Sequence, residues 1–302
     1  MAPRNVSERS LIALPDVLVS PWEQRIRRAE ELTAQYPYAA EPLRFYQELV
    51  RFQEGMQESL RATLTDLGRP QNGDVFPLRA LLREEHRDLL LPRFPEFLDH
   101  VRRTGSPALA DAAAALRSVP EDRWEALLEA YWFQDTGGES ADSEVMAIDF
   151  FPKAFLQPYA SLLAGGLRGD GEEAEIDWKV AEGIAACPMC GARAQVSVLR
   201  PEGHGSSRSL VCSLCATEWR FKRVRCVACG EEEFERLVFL TTEEFRHVRI
   251  NACDTCHTYF KEVDLVKELA AVPVVDEIAT MPLDVVAVER GYRKLELNLI
   301  GM

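Results

Sequence analysis

"VCSLCATEWRFKRVRCVACGE", residues 211–231, holds two C-x-x-C pairs separated by ten residues. As one closed cage, the stretch is a single small metal finger. As a seam, it ends one metal module and begins another. The cysteines outside the stretch separate these readings. All eight cysteines of the 302-residue chain lie in four pairs: Cys187-Pro-Met-Cys190, Cys212-Ser-Leu-Cys215, Cys226-Val-Ala-Cys229 and Cys253-Asp-Thr-Cys256. The gaps between pairs are 21, 10 and 23 residues. The first and third pairs run on into Gly191 and Gly230. The second and fourth run on as Ala216-Thr217-Glu218-Trp219 and His257-Thr258-Tyr259-Phe260. From first cysteine to first cysteine the step is 25 residues in one copy and 27 in the other. A recurrence of this kind marks a duplicated unit, so the stretch is a seam.

Each unit is predicted as a knuckle, a β-hairpin and a second knuckle, the layout of a zinc ribbon or rubredoxin-like module. "AQVSVLRPEGHGSSRSLVC" (194–212) supplies the first hairpin, turning at Gly203 to Gly205, and "RLVFLTTEEFRHVRINAC" (236–253) the second. In a knuckle, two cysteines three apart face one ion, and a following glycine allows the positive φ the turn can need. Two knuckles give four sulfurs and a tetrahedral site. The expected ligands are Cys187, Cys190, Cys212 and Cys215 for one ion, and Cys226, Cys229, Cys253 and Cys256 for the other. A single site from the inner four would leave the outer knuckles to meet across 62 residues and leave the repeat unexplained. Four thiolates suit zinc or a single iron equally. With a divalent ion the site carries −2 and has no open position, which argues against hydrolytic chemistry. Zinc would make both sites structural; iron would permit one-electron redox. Structural zinc contributes on the order of 10–16 kcal/mol to such modules, so the metal is expected to fold this region.

Composition sets the surroundings. The net charge is −14, the pI near 5.0, and 47% of residues are apolar. The chain is globular, and its surface repels phosphate backbones. Pro15 and Asp16 interrupt the apolar N-terminal stretch, so no signal peptide is expected, and no run of eighteen apolar residues exists, so no membrane span is expected. Cysteines confined to metal pairs point to a reducing, cytoplasmic setting. The densest basic run, "RFKRVR" (220–225), reads as an alternating strand with Phe221 and Val224 inward. Nucleic-acid binding, its sharper alternative, is disfavoured: two four-thiolate centres turn the nominal +1 of the cysteine region into about −3.

The N-terminal half, residues 1–178, reads as an all-α domain. "PWEQRIRRAEELTAQYP" (21–37) puts Ile26, Ala29 and Leu32 on one stripe. A long helix over 41–68 buries Leu43, Tyr46, Leu49, Val50 and Met56 and stops at Gly68. Further helices are predicted at 76–91, 93–103, 107–117, 121–133 and 144–167, and Trp22, Phe45, Trp124, Tyr131, Trp132, Phe150 and Phe151 are read as core. "GGLRGDGEEAEIDW" (165–178) is a linker. The first ribbon is placed at 185–222 and the second at 223–264. The segment 265–302 has two short helices broken by Pro282 and packs on the ribbons or the helical domain. Asp276, Glu277 and Asp284 are read as solvated or capping. None of His86, His100, His204, His247 and His257 sits in a ligand pattern. No nucleotide loop, nucleophile elbow or carboxylate dyad is present, so no catalytic residue is expected.

The chain resembles the FdhE family, the formate dehydrogenase accessory (formation) proteins of bacteria. The likeness rests on Cys187-Pro-Met-Cys-Gly191, on the Cys212 to Trp219 block with Cys226 and Cys229, on Cys253 to Tyr259, and on Glu277 to Asp284 with Glu289 to Tyr292. It extends over nearly the whole chain. It implies a cytoplasmic, non-enzymatic maturation factor for respiratory formate dehydrogenase, chaperone-like toward its molybdenum- or tungsten-containing catalytic subunit before export. It also implies iron-associated, rubredoxin-type knuckles with all eight cysteines functional. An iron-dependent redox carrier and a nucleic-acid-binding ribbon protein are the alternatives.

Overall fold

The computed structural model describes residues 20–64, 76–81, 84–133, 143–168 and 186–301. Among them, seven α-helices precede a mixed sheet and two short helices follow most of it. Helix α1 (Pro21–Gln35) starts at Ser20, whose hydroxyl accepts from Glu23 N, with Pro21 in the first turn where no N–H is needed. Ile26, Ala29 and Leu32 are buried as their spacing predicts. Helix α2 (Ala40–Thr63) buries Leu43, Tyr46, Leu49, Val50 and Met56. It ends at Thr63, short of the expected stop; Gly68 and the 169–178 part of the linker lie outside the described residues.

The helix expected over 76–91 is two pieces: a 3-10 turn at Arg79–Leu81 and α3 (Glu84–Leu90). Leu78 N, a first-turn donor with no helical acceptor, donates to Met189 O in the first knuckle (2.9 Å) and ties this turn to the metal module. Helices α4 (Phe94–Thr104) and α6 (Glu121–Trp132) pack with α2 on α7 (Ser143–Arg168), and α5 (Pro107–Arg117) packs on α4. Residues 151–160 of α7 are buried without interruption, so this helix is the axis of the domain. Phe94 meets Phe155 edge-on and Phe97 meets it at a tilt, with ring centroids 4.9 and 5.6 Å apart. Trp22, Trp124, Trp132 and Phe151 are buried, and Phe45, Tyr131 and Phe150 pack against them half-buried.

Pro158 lies inside α7 and has no N–H, which leaves Ala154 O without its helical donor. Gln53 of α2 donates Nε2 to that carbonyl at 2.7 Å, and Gln57 reaches Pro158 O at 3.2 Å.

The cysteine region forms two copies of a three-stranded meander. The first is β1 (Ala194–Glu202), β2 (Gly205–Cys212) and β3 (Glu218–Arg220). The second is β4 (Leu237–Leu240), β5 (Val248–Cys253) and β6 (Thr258–Asp264). Glu202 pairs with Gly205, so Gly203 (φ +55°) and His204 make the first turn. The copies share one sheet in the order β3-β2-β1-β6-β5-β4, joined where β1 runs parallel to β6 at Ser197↔Glu262. At this joint Glu262 is buried between Arg208 (3.1 Å) and Arg249, and Ser197 Oγ donates to it at 3.0 Å.

Strand β3 ends at Arg220, earlier than the alternating run predicted. Phe221 is buried, but Val224 is exposed. Arg208 donates Nη1 to the carbonyls of Lys222, Arg223 and Arg225 (3.3, 3.4 and 3.0 Å), which curls this stretch into a loop.

The C-terminal segment forms α8 (Pro273–Ala279), α9 (Met281–Glu289) and β7 (Arg293–Lys294), the last pairing parallel with β6 at Thr258 and Tyr259. Pro282 starts α9 rather than breaking a helix, because the first turn does not use its missing donor. Asp276, Glu277 and Asp284 are buried, not solvated. Lys261 Nζ donates to Glu277 O (2.7 Å) and Thr280 O (3.1 Å) and pairs with Asp284; Lys294 pairs with Glu277 and, at 3.0 Å, with Asp284. Arg28 of α1 holds Asp276 through Nη2 and Nε at 2.6 and 3.0 Å. The segment therefore packs on both ribbon and helices, and buried charges that would be costly alone are paired.

Candidate metal centres

Each half of the sheet presents one four-cysteine cluster. Cys187, Cys190, Cys212 and Cys215 form one, and Cys226, Cys229, Cys253 and Cys256 the other. Within each, all sulfurs lie within 4.8 Å of one another. The stretch at 211–231 therefore contributes one pair to each cluster. No histidine and no carboxylate joins either group among the described residues.

Closest sulfur separations are 3.6 Å (Cys187–Cys215) and 3.4 Å (Cys190–Cys212) in the first cluster. In the second they are 3.7 Å for both Cys226–Cys256 and Cys229–Cys253. A disulfide needs about 2.05 Å, and all eight cysteines are free. A tetrahedron with metal–sulfur bonds of about 2.3 Å has edges of about 3.8 Å. The spacing fits a four-sulfur metal cage.

The backbone is arranged for thiolates. Met189 N approaches Cys187 Sγ at 3.4 Å, and Leu214 N and Cys215 N approach Cys212 Sγ at 3.3 and 3.4 Å. Each such N–H favours the charged sulfur. Turn bonds close the knuckles: Gly191 N to Cys187 O (2.8 Å), Gly230 N to Cys226 O (3.1 Å) and His257 N to Cys253 O (2.8 Å). The residue after every knuckle is left-handed: Gly191 at +74°, Ala216 at +57°, Gly230 at +80° and His257 at +54°. The duplicated sequence is thus a duplicated backbone, even where the glycine is absent.

The two clusters sit in different environments. All four cysteines of the first are buried, whereas Cys229 of the second is exposed and Cys256 half-buried. The helical domain covers the first: Gln157 Nε2 donates to Ser213 O at 2.7 Å and Arg79 Nε to Cys190 O at 2.9 Å. Burial pushes the Cys187 and Cys190 thiols well above their ordinary range. Four thiolates cannot accumulate there without a cation, so metal uptake would be coupled to proton release. These donors, all sulfur and closed on four sides, fit zinc or a single iron. A bound divalent ion would supply tetrahedral cross-linking in either case and one-electron chemistry only as iron.

Sequence reasoning places all eight sulfurs but misses what surrounds them. Arg79, Gln157 and the buried set Lys261–Glu277–Asp284–Lys294 carry no motif. Their partners are 10 or more residues away and become visible only in three dimensions.

The family models match in the same order as the two metal modules. One described as "FdhE, central domain" covers residues 186–223, and "FdhE, C-terminal domain" covers residues 224–300. Their boundary falls within the ten residues separating Cys215 from Cys226. A protein described as an FdhE homolog from Aquifex aeolicus is 29% identical over 221 residues, 73% of either chain. One from Pseudomonas putida is 37% identical over 129 residues, about two-fifths of either chain. The crystal structure of the FdhE protein from Pseudomonas aeruginosa superposes with a TM-score of 0.63 at 25% identity, spanning 93% of this chain and 96% of that one. Both metal modules are matched in order and the architecture is shared over most of the chain's length, so the chain is similar to the FdhE family in sequence and in fold.

Proposed function

We propose that this protein is a non-enzymatic accessory factor for formate dehydrogenase that binds the catalytic subunit during its maturation in the cytoplasm. Two metal ions, each held by the four cysteines of one cluster, would give the docking region its shape. The observation that carries the reading is the pair of closed four-sulfur cages in an FdhE-like fold. A closed cage has no position for substrate. Among the described residues no helix is long and apolar enough to cross a membrane.

Co-expression with a formate dehydrogenase catalytic subunit tests this. The subunit is expected to co-purify, and deletion of the factor is expected to abolish formate oxidation. Recovery of the factor alone, together with normal formate oxidation in the deletion strain, excludes the role. A redox function is favoured by one observation: the exposed Cys229 gives solvent-borne electron carriers an approach to the second site. Elemental analysis of protein purified without added metal decides it. Iron, with visible absorption that bleaches reversibly under dithionite, supports electron transfer, and zinc alone rejects it.

A further inference from the structure

The four residues that follow the knuckles share one backbone conformation but not one residue type. Two are glycine, and two carry side chains at nearly the same φ, Ala216 at +57° and His257 at +54°. Backbone conformation therefore does not by itself require glycine at 191 and 230. Both glycines have an arginine against them.

A methyl group at Gly191 would stand 2.7 Å from Arg79 Nη2, 3.0 Å from its Cζ and 3.1 Å from its Nε. At Gly230 it would stand 3.3 Å from Arg225 Nη2 and 3.6 Å from its Nε. In both copies a guanidinium lies over the glycine of the first knuckle. The two arginines come from unrelated places: Arg79 from the helical domain, Arg225 from the residue before Cys226. Arg79 is fixed by its Nε bond to Cys190 O (2.9 Å), by the Phe76 ring 4.9 Å away and by Trp132 Nε1, which donates to its carbonyl at 3.3 Å. Arg225 is tethered through its own carbonyl to Arg208 (3.0 Å) and stands 3.7 Å from Glu232, which Lys222 also engages.

We propose that Arg79 and Arg225 are matched positioning residues, one for each four-cysteine site. Each covers the first knuckle of its site with a planar cation and offsets the charge of the thiolate cage. The inference rests on reading both clusters as metal sites. Four thiolates around a divalent ion leave −2, a charge that a neighbouring cation offsets, more strongly at the buried first cluster than at the partly exposed second. Glycine keeps the space for the guanidinium. The second knuckles hold a β-carbon at the same position, in Ala216 and His257.

The duplicated architecture supplies its own control. Full-length protein is titrated with zinc against a chelator, and each cysteine is pulse-alkylated and quantified by mass spectrometry. In R79Q the free zinc that half-protects Cys187, Cys190, Cys212 and Cys215 is expected to rise on the order of tenfold, the scale seen when groups supporting metal ligands are removed. The other four cysteines should be unmoved. R225Q should do the converse. R79K and R225K keep the charge without the planar cover, so they should recover part of the loss.

The proposal is overturned if either glutamine variant leaves its own site unchanged, if both sites shift together, or if lysine rescues nothing. A wild-type protein alkylated equally fast with and without zinc would instead overturn the metal reading itself, a distinct outcome.

Discussion

At the scale of single residues, left-handed backbone and buried charge set the sensitive positions. Gly291 has φ +86° and open space around its α-carbon, whereas Gly191 at +74° faces a guanidinium. Gly291→Ala should therefore cost only the conformational penalty, about 1 kcal/mol. Gly191→Ala adds a steric clash and should cost about 3 kcal/mol. Ala216→Gly relieves the same conformation and should gain up to about 1 kcal/mol. Chemical unfolding of the metal-loaded variants ranks the three, and equal losses at Gly191 and Gly291 would contradict the steric reading.

Asp276 is the second such position. Burial alone would raise its pKa, but bonds from His247 (2.8 Å) and Arg28, with their charges, outweigh it and hold the carboxyl below the ordinary range. A depressed folded pKa stabilises fully above the unfolded value of about 3.9 and loses that contribution as pH falls through the folded value. Asp276→Asn should cost about 3 kcal/mol at neutral pH and flatten the stability curve below about pH 4. An unchanged acid limb would rule this out.

At the scale of elements, α7 shows how one local defect is repaired from another helix. Gln53→Leu strands the Ala154 carbonyl that Pro158 leaves open, a buried loss of about 1–3 kcal/mol. Pro158→Ala restores an N–H to that turn, so in the double variant the cost of losing Gln53 should shrink. A thermal-unfolding double-mutant cycle measures this coupling, and strict additivity would exclude the repair. The same pair marks where sequence stops being legible. Helix α2 and its buried stripe follow from periodicity, but Gln53 lies at a position where pattern alone gives a polar residue no reason to be inside. Its reason is a proline 105 positions later. The cysteine clusters were legible because a metal imposes residue type and spacing together. Val224 was misplaced because period-2 alternation continues in the sequence after Arg208 has already bent the chain. The sequence reads Asp276, Glu277 and Asp284 as solvated or capping; Asp276 does cap its helix, accepting from Val272 N at 2.8 Å, but all three are buried because their counterions lie on α1, β6 and β7, and single-chain charge patterns do not record distant partners.

At the scale of the whole molecule, the two metal modules are alike in backbone and unlike in surroundings. The first is clamped under the helices by Leu78–Met189, Gln157–Ser213 and Arg79–Cys190; the second turns Cys229 to solvent. A chelator must reach the sulfur shell, so metal should leave in two phases, the exposed second site first. Loss of that ion should loosen β4 and β5 and leave the helical domain attached. Loss of the other should free Met189, and with it the amide of Leu78, whose hydrogen-exchange protection depends on that knuckle. Hydrogen exchange followed alongside metal release tests the order. Protection at Leu78 should fall with the second equivalent of metal and not the first. If it falls with the first, the clamp between helices and ribbon responds to the outer site, and burial is not what separates the two.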